Sequence, residues 1–321
     1  MDNITVIGCG RWGSFIAYYL DKIGKNVTLY GRESSQDFKR FKETRTNGKV
    51  VLSNSLKLES NLKKALENDT IVISINSQGV RDLMKELVNV GIKNKTFILC
   101  MKGIEISTGY RLSQVVEEFC DGTNRIAVWI GPGHVEEFVK GVPNCMVIDS
   151  KNNLLKEELV KEFSSSLIRF YYGTDLVGNE IGAASKNVIG IAAGMLDGLG
   201  LSSLKGALMS RGTVEVSRFI KAMGGNERSA YGLCHLGDYE ATVFSEHSHN
   251  RMFGELFVKK EEYNSLAEGY YTVKAMMNIA KEKNIDMPIC EVVYGILYEN
   301  KDPRDSLNKL FLRSIKKEFI F

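Results

Sequence analysis

The sequence predicts an α/β protein in two parts: an N-terminal doubly wound, mainly parallel sheet, followed by a second, all-helical domain. Three observations predict it. Short β-branched runs alternate with helix-period stretches from residue 4 to residue 172, as strands joined by crossover helices do. A glycine-rich turn stands between the first such run and the first helical stretch. From Glu180 onward the strand pattern stops and only helical periodicity continues. At 321 residues the chain is longer than one core usually takes, which agrees with two domains.

Residues 4–7 form the first strand and lead into Gly8-Cys9-Gly10-Arg11-Trp12-Gly13. Residues 14–23 follow at helical spacing, and a second strand occupies 26–30. This places G-x-G-x-x-G between a strand and a helix, the context in which the motif binds a dinucleotide. Gly8 permits the tight turn, Gly10 lets the backbone approach a pyrophosphate, and Gly13 lets the helix pack on the strand. The phosphates rest on the helix N-terminus, where free N–H groups and the dipole favour anions, with Arg11 and Trp12 beside them. A Rossmann-like domain binding NAD or NADP is therefore expected. The second strand ends Tyr30-Gly31-Arg32-Glu33. Arg32 can accommodate a 2′-phosphate and favours NADP, while the neighbouring Glu33, suited to ribose hydroxyls, leaves NAD open.

Strand-like runs at 70–75, 96–101, 126–130, 145–148 and 167–172 complete the sheet, with helix-like stretches such as 79–90 and 109–119 between them. Residues 50–58 read as a small inserted hairpin. Ligands gather at the carboxyl ends of such strands, so Lys102-Gly103-Ile104 and Gly131-Pro132-Gly133-His134 are candidate site segments. Lys102 either orients a carbonyl or an anion, or is a solvated loop lysine.

The second half shows helical segments at 180–196, 203–223, 270–283 and 289–298, with Pro288 and Pro303 starting or bounding the last helices. The domain boundary is expected near 173–178, giving a dinucleotide-binding domain at 1–177 and a helical substrate-binding and catalytic domain at 178–321. The stretch 179–211 would line the cleft. Residues 180–199 carry one cationic side chain, Lys186, among Ile181, Ala184, Val188, Ile191 and Met195. Such a lysine either snorkels its ammonium to the surface or, stripped of water, has a pKa near neutrality and exchanges a proton with a substrate. His235, His247 and His249 fall close together, but their spacing matches no common zinc pattern. Surface or anion-contacting histidines are expected, with no metal.

A net charge of +3 predicts neither a nucleic-acid surface nor a membrane patch. No uncharged apolar run is long enough to cross a bilayer, and the chain starts without a basic leader. Six scattered cysteines without a C-x-x-C pair suit reduced thiols in a cytoplasm.

Ordered signposts run nearly the whole length of the chain: Gly8 to Gly13 with Trp12, Lys102-Gly103-Ile104-Glu105, Gly131-Pro132, Glu180-Ile181-Gly182, Lys186-Asn187-Val188-Ile189, Arg211-Gly212, Leu236-Gly237-Asp238, Asn250-Arg251, Glu268-Gly269 and Met287-Pro288-Ile289. In these the chain resembles the bacterial-type NAD(P)-dependent glycerol-3-phosphate dehydrogenases. The resemblance implies a helical domain like the C-terminal domain of 6-phosphogluconate dehydrogenase. It also implies reversible hydride transfer between NAD(P)H and dihydroxyacetone phosphate, a small phosphorylated three-carbon substrate, giving sn-glycerol 3-phosphate for phospholipid biosynthesis. By the same resemblance Lys186 is the proton donor, Lys102 assists at substrate and cofactor, and Asp238 with Thr242 fixes the lysine and the substrate. Gly131, Gly133, Asn187, Ser248, His249 and Asn250 would contact substrate, Val135 and Glu268 the cofactor, and the chain would form a homodimer through its helical domain.

Two positions depart from the family pattern. Gly133 follows Gly-Pro where Ser or Asn is usual, and Ser248-His249-Asn250-Arg251 stands where Ser-Arg-Asn-Arg is usual. Arginine holds phosphate bidentately at any ordinary pH, whereas a histidine contact fades above its pKa, about 6.5 when unperturbed. Either His249 or Arg251 is expected to replace the missing contact. The departures leave two other readings: a related dehydrogenase of the same plan acting on another hydroxy or keto compound, and a catalytically idle NAD(P)-binding sensor.

Overall fold

The computed structural model describes residues 1–314 and 317–318. Its N-terminal part is an eight-stranded sheet of β1 (Asn3–Ile7), β2 (Asn26–Tyr30), β3 (Lys57–Glu59), β4 (Thr70–Ile73), β5 (Thr96–Leu99), β6 (Arg125–Ile130), β7 (Asn144–Asp149) and β8 (Ile168–Tyr172). The strands lie in the order β3-β2-β1-β4-β5-β6-β7-β8. All neighbours are parallel except β6 and β7. The helices of this part are α1 (Arg11–Lys22), α2 (Gln36–Thr44), α3 (Leu62–Ala65), α4 (Val80–Val90), α5 (Leu112–Glu117), α6 (Val135–Val139) and α7 (Asn153–Phe163). Strands β4 and β5 are buried on both faces, which is why they read as unbroken apolar runs instead of alternating ones.

The helical part comprises α8 (Leu176–Gly198), α9 (Lys205–Ala222), α10 (His249–Lys259), α11 (Glu268–Lys283), α12 (Pro288–Tyr298) and α13 (Pro303–Phe311). Pro288 and Pro303 each take the first helical position, where a missing N–H costs nothing. Helix α8 is the axis of this part. Every residue from Glu180 to Leu196 is buried, so the helix is wrapped on all sides by its neighbours. Its Ile181, Val188, Ile189, Ile191 and Met195 side chains each contribute about 1.5–3 kcal/mol of burial. Helix α10 crosses it closely enough that a Cβ on Gly194 would meet the Arg251 carbonyl oxygen at 1.9 Å.

The helical segments expected at 180–196 and 203–223 are α8 and α9, separated by a turn at Gly200, where φ is +75°. One expectation is corrected: residues 50–58 do not form a hairpin. The Asn47-Gly48 pair makes the turn, closing an antiparallel bridge between Thr46 and Val51, and Lys57–Glu59 joins the sheet as its parallel edge strand beside β2. Asn-Gly is the stronger turn signal, and it lay just ahead of the β-branched run on which the hairpin reading rested. The two parts are tied by a buried ion pair between Arg111 and Glu180, whose carboxylate also accepts from the Ser113 N–H at 3.0 Å and the Ser113 hydroxyl at 2.6 Å.

Candidate active site

The carboxyl ends of the parallel strands, the start of α10 and the middle of α8 enclose a cavity of about 420 Å³ between the two parts. Lys102 and Lys186 both line it. Lys102 sits just beyond β5, and Lys186 projects from the buried centre of α8, its side chain 9 % exposed, which excludes a snorkelling lysine.

The two ammonium groups converge on a single oxygen. Asp238 Oδ2 lies 2.6 Å from Lys102 Nζ and 2.7 Å from Lys186 Nζ. Lys102 also donates to the Gly131 carbonyl at 2.7 Å, and Lys186 to the Thr242 hydroxyl at 2.6 Å. Thr242 in turn donates to the Asp238 main-chain carbonyl at 2.7 Å, so its oxygen is left as an acceptor for the lysine. The wide π-helical turn Glu240–Phe244 presents Thr242 in this position. Burial pushes the Lys186 pKa down to about 7, Asp238 opposing the fall and Lys102 adding to it. An amine in that range both gives and takes a proton near neutrality.

Asp238 itself is 0 % exposed and lies behind the lysines. It is not among the residues lining the cavity and meets both amines through Oδ2. Asn187, Ser248, His249 and Asn250 line the cavity as expected. Ser248 caps α10 by accepting from the Arg251 N–H, and the Asn250 side-chain oxygen Oδ1 accepts from the Gly269 N–H at 2.9 Å.

Gly133 lines the cavity at φ +144°, and a Cβ there would stand 2.2 Å from the Phe138 ring. Its departure from Ser or Asn follows from Phe138, which fills the space a side chain would need. Gly131 has φ +140° and serves through its carbonyl.

His249 shares a 2.5 Å hydrogen bond between Nδ1 and the Tyr263 hydroxyl, and burial lowers its pKa below the ordinary value, with the Arg11 charge adding to the effect. Arg251 is held elsewhere, donating to Asp197 at 2.7 Å, Glu255 at 2.9 Å and the Ser245 carbonyl at 3.1 Å. Of the other clustered histidines, His247 is exposed, whereas His235 is fully buried between the Gly182 carbonyl and the Tyr239 hydroxyl. That corrects the surface or anion-contacting reading of His235.

The glycine loop fits a dinucleotide. At Gly8, φ is +112° and a Cβ would stand 2.1 Å from the Ser74 carbonyl; at Gly13 it would stand 2.0 Å from the Gly8 carbonyl. Only Gly10 has open space before it. Helix α1 has no side-chain cap, so the N–H groups at its start remain available to phosphate. Trp12 and Val135 line the adjoining cavity. Arg32 makes an exposed pair with Glu86 at 3.0 Å, and Glu33 is bound to Lys42 at 2.8 Å and Ser60 at 2.5 Å.

Glu268, the first residue of α11, reaches across the cleft and accepts from the Ser77 N–H at 2.9 Å and from the Ser77 hydroxyl. No motif in the sequence points to Ser77, or to the network in which Arg11 donates to Glu136 and Lys49 pairs with the other Glu136 oxygen at 3.0 Å. These pairings join residues far apart in the chain.

Two family models cover nearly all of the chain: NAD-dependent glycerol-3-phosphate dehydrogenase N-terminus over residues 3–156 and the C-terminus of the same family over residues 175–308. The chain is 35% identical over 331 residues to a glycerol-3-phosphate dehydrogenase [NAD(P)+] of Fusobacterium nucleatum, covering 99% of each chain. It is 38% identical over 332 residues to one from Clostridium botulinum, again covering 99% of each. A glycerol-3-phosphate dehydrogenase structure from Coxiella burnetii superposes with a TM-score of 0.90 at 27% identity, over 97% of this chain and 99% of that one.

Proposed function

Because the chain belongs to the NAD-dependent glycerol-3-phosphate dehydrogenase family, we propose that it interconverts dihydroxyacetone phosphate and sn-glycerol 3-phosphate with NAD(P)H, with Lys186 as the general acid and base. The observation that carries this reading is the buried Lys186 amine, held between Asp238 and Thr242 with a pKa near 7. An idle sensor has no need of such a group. Bound on the glycine loop, the nicotinamide cofactor supplies the hydride that converts the substrate carbonyl to an alcohol.

Lys186 donates its proton to the carbonyl oxygen as negative charge develops there, and takes it back in the reverse direction. Two of its hydrogen-bonding directions are taken by Asp238 and Thr242, which leaves the third for the substrate oxygen. Lys102 stabilises the same oxygen electrostatically. Asp238 keeps two adjacent ammonium groups from repelling each other out of the site, and Asn187 and Asn250 orient the substrate hydroxyl groups. Glu268 closes the helical domain on the cofactor side.

We take residues 1–177 as the cofactor domain and 178–321 as the helical one. NADP is the favoured cofactor over NAD, because Arg32 holds only an exposed partner while Glu33 is engaged by Lys42 and Ser60. Six free thiols suit a cytoplasmic setting, and a homodimer through the helical domain is part of the same proposal. No helix among the described residues is long and apolar enough to cross a membrane.

The test is steady-state turnover with dihydroxyacetone phosphate and a panel of unphosphorylated keto compounds, with NADH and NADPH in parallel. Dihydroxyacetone phosphate should be consumed, and Lys186→Ala should lose turnover while still binding NADPH. Substantial activity in that variant would remove the assignment.

A further inference from the structure

A phosphorylated substrate brings a phosphomonoester into the cleft, and a permanent cation with donors to spare must receive it. Lysine and arginine side chains lining the cavity are Lys102, Lys186 and Arg11. The two lysines share Asp238. Of the histidines lining the cavity, His134 is pushed down to about 4 and His249 below its ordinary value, in both cases first by burial and next by the Arg11 charge, while His247 is exposed and turns its main-chain carbonyl toward Arg11. Arg11 is the remaining cation of the cavity wall.

Its guanidinium is placed for the task. Arg11 Nη1 donates to the His247 carbonyl at 3.2 Å, one residue before the cap of α10, and Nη2 donates to Glu136 at 2.5 Å. Its Nε–H is buried and has no partner among the described residues. Glu136 also pairs with Lys49 at 3.0 Å, so it keeps a cation when Arg11 turns part of its fork to another anion. The start of α10, whose dipole favours negative charge, stands on the same side of the cleft.

We propose that Arg11, on the cofactor-binding loop, is the residue that recognises the substrate's phosphate group, with His249, which lines the same cavity, as a second hydrogen-bond partner. This rests on the reading of the chain as a glycerol-3-phosphate dehydrogenase and adds the source of its specificity. The planar fork of arginine suits a phosphomonoester, and neither lysine nor a neutral histidine replaces it.

The same guanidinium chemistry suits the cofactor pyrophosphate, so the experiment separates the two. For the wild type, Arg11→Gln and Arg11→Lys, kcat/KM is measured at saturating NADPH for dihydroxyacetone phosphate and for dihydroxyacetone, and NADPH affinity is measured by fluorescence titration without substrate. The phosphorylated-to-unphosphorylated kcat/KM ratio should fall about 100-fold in Arg11→Gln and about 10-fold in Arg11→Lys, which keeps the charge but loses the fork. Should the glutamine variant fail to fold, the lysine variant decides. A wild type that reduces dihydroxyacetone phosphate, with both ratios unchanged and only NADPH affinity weakened, overturns the proposal by assigning Arg11 to the cofactor. A wild type inert toward dihydroxyacetone phosphate overturns the underlying reading instead.

Discussion

Asp238→Asn removes the one negative charge held between two ammonium groups while keeping the shape of the side chain. The carboxylate oxygen lies 2.7 Å from Lys186 Nζ and 2.6 Å from Lys102 Nζ. A pair of unit charges about 4 Å apart is worth about 4 kcal/mol at an effective dielectric of about 20, and this pair is closer. If water and the amide dipole recover about a third to a half of that, about 2–3 kcal/mol remains, or about two pH units. A carboxylate favours the charged amine, so its loss lowers the Lys186 pKa from about 7 toward about 5. Lys102, no longer neutralised, acts in the same direction. Reduction of the ketone needs protonated Lys186. Wild-type kcat should therefore fall as pH rises through about 7, and the variant's as pH rises through about 5, with a loss of about 50-fold at about pH 7. The assay is the initial rate of NADPH oxidation with saturating dihydroxyacetone phosphate between about pH 4.5 and 9. An alkaline limb that stays in place, or moves to higher pH, would refute the idea that Asp238 sets the charge of Lys186.

The glycine loop offers a paired test of fold against binding. Gly13→Ala forces a methyl to 2.0 Å from the Gly8 carbonyl and should cost about 1–3 kcal/mol, seen as a lower Tm. Gly10→Ala meets nothing within 4 Å and should leave Tm in place while weakening NADPH, read by fluorescence titration; equal Tm losses in both variants would count against Gly10 as the point of pyrophosphate approach. For His249, whose pKa lies below its ordinary value, KM for dihydroxyacetone phosphate should stay flat from about pH 7 to 8.5. A KM that climbs through that range would return the phosphate to a charged His249.

The two-part plan was legible because it is written in local patterns. Apolar runs such as residues 70–73 and 96–99 are strands because no polar residue interrupts them, and α8 announces itself by a long stretch with almost no charge. The hairpin placed at 50–58 failed because a turn is chosen by a few backbone dihedrals, and Asn47-Gly48 satisfied them first. Within the site, Lys186, Lys102, Asp238 and Thr242 were nameable as a set, but not their arrangement. That both amines meet on one oxygen, with Asp238 hidden behind them, depends on bringing residues 102, 186 and 238 from three elements to within 3 Å.

What the sequence by itself determined was the fold class, the glycine loop and the identity of the buried lysine, since each rests on spacing and residue type along the chain. Tertiary structure alone decided the charge state of that lysine, the pairing of Glu268 with Ser77, the commitment of Arg251 to Asp197 and Glu255, and the turn of Arg11 toward the cleft. Protonation and ion pairing depend on distance and on the removal of water, and both are set only when remote segments pack together.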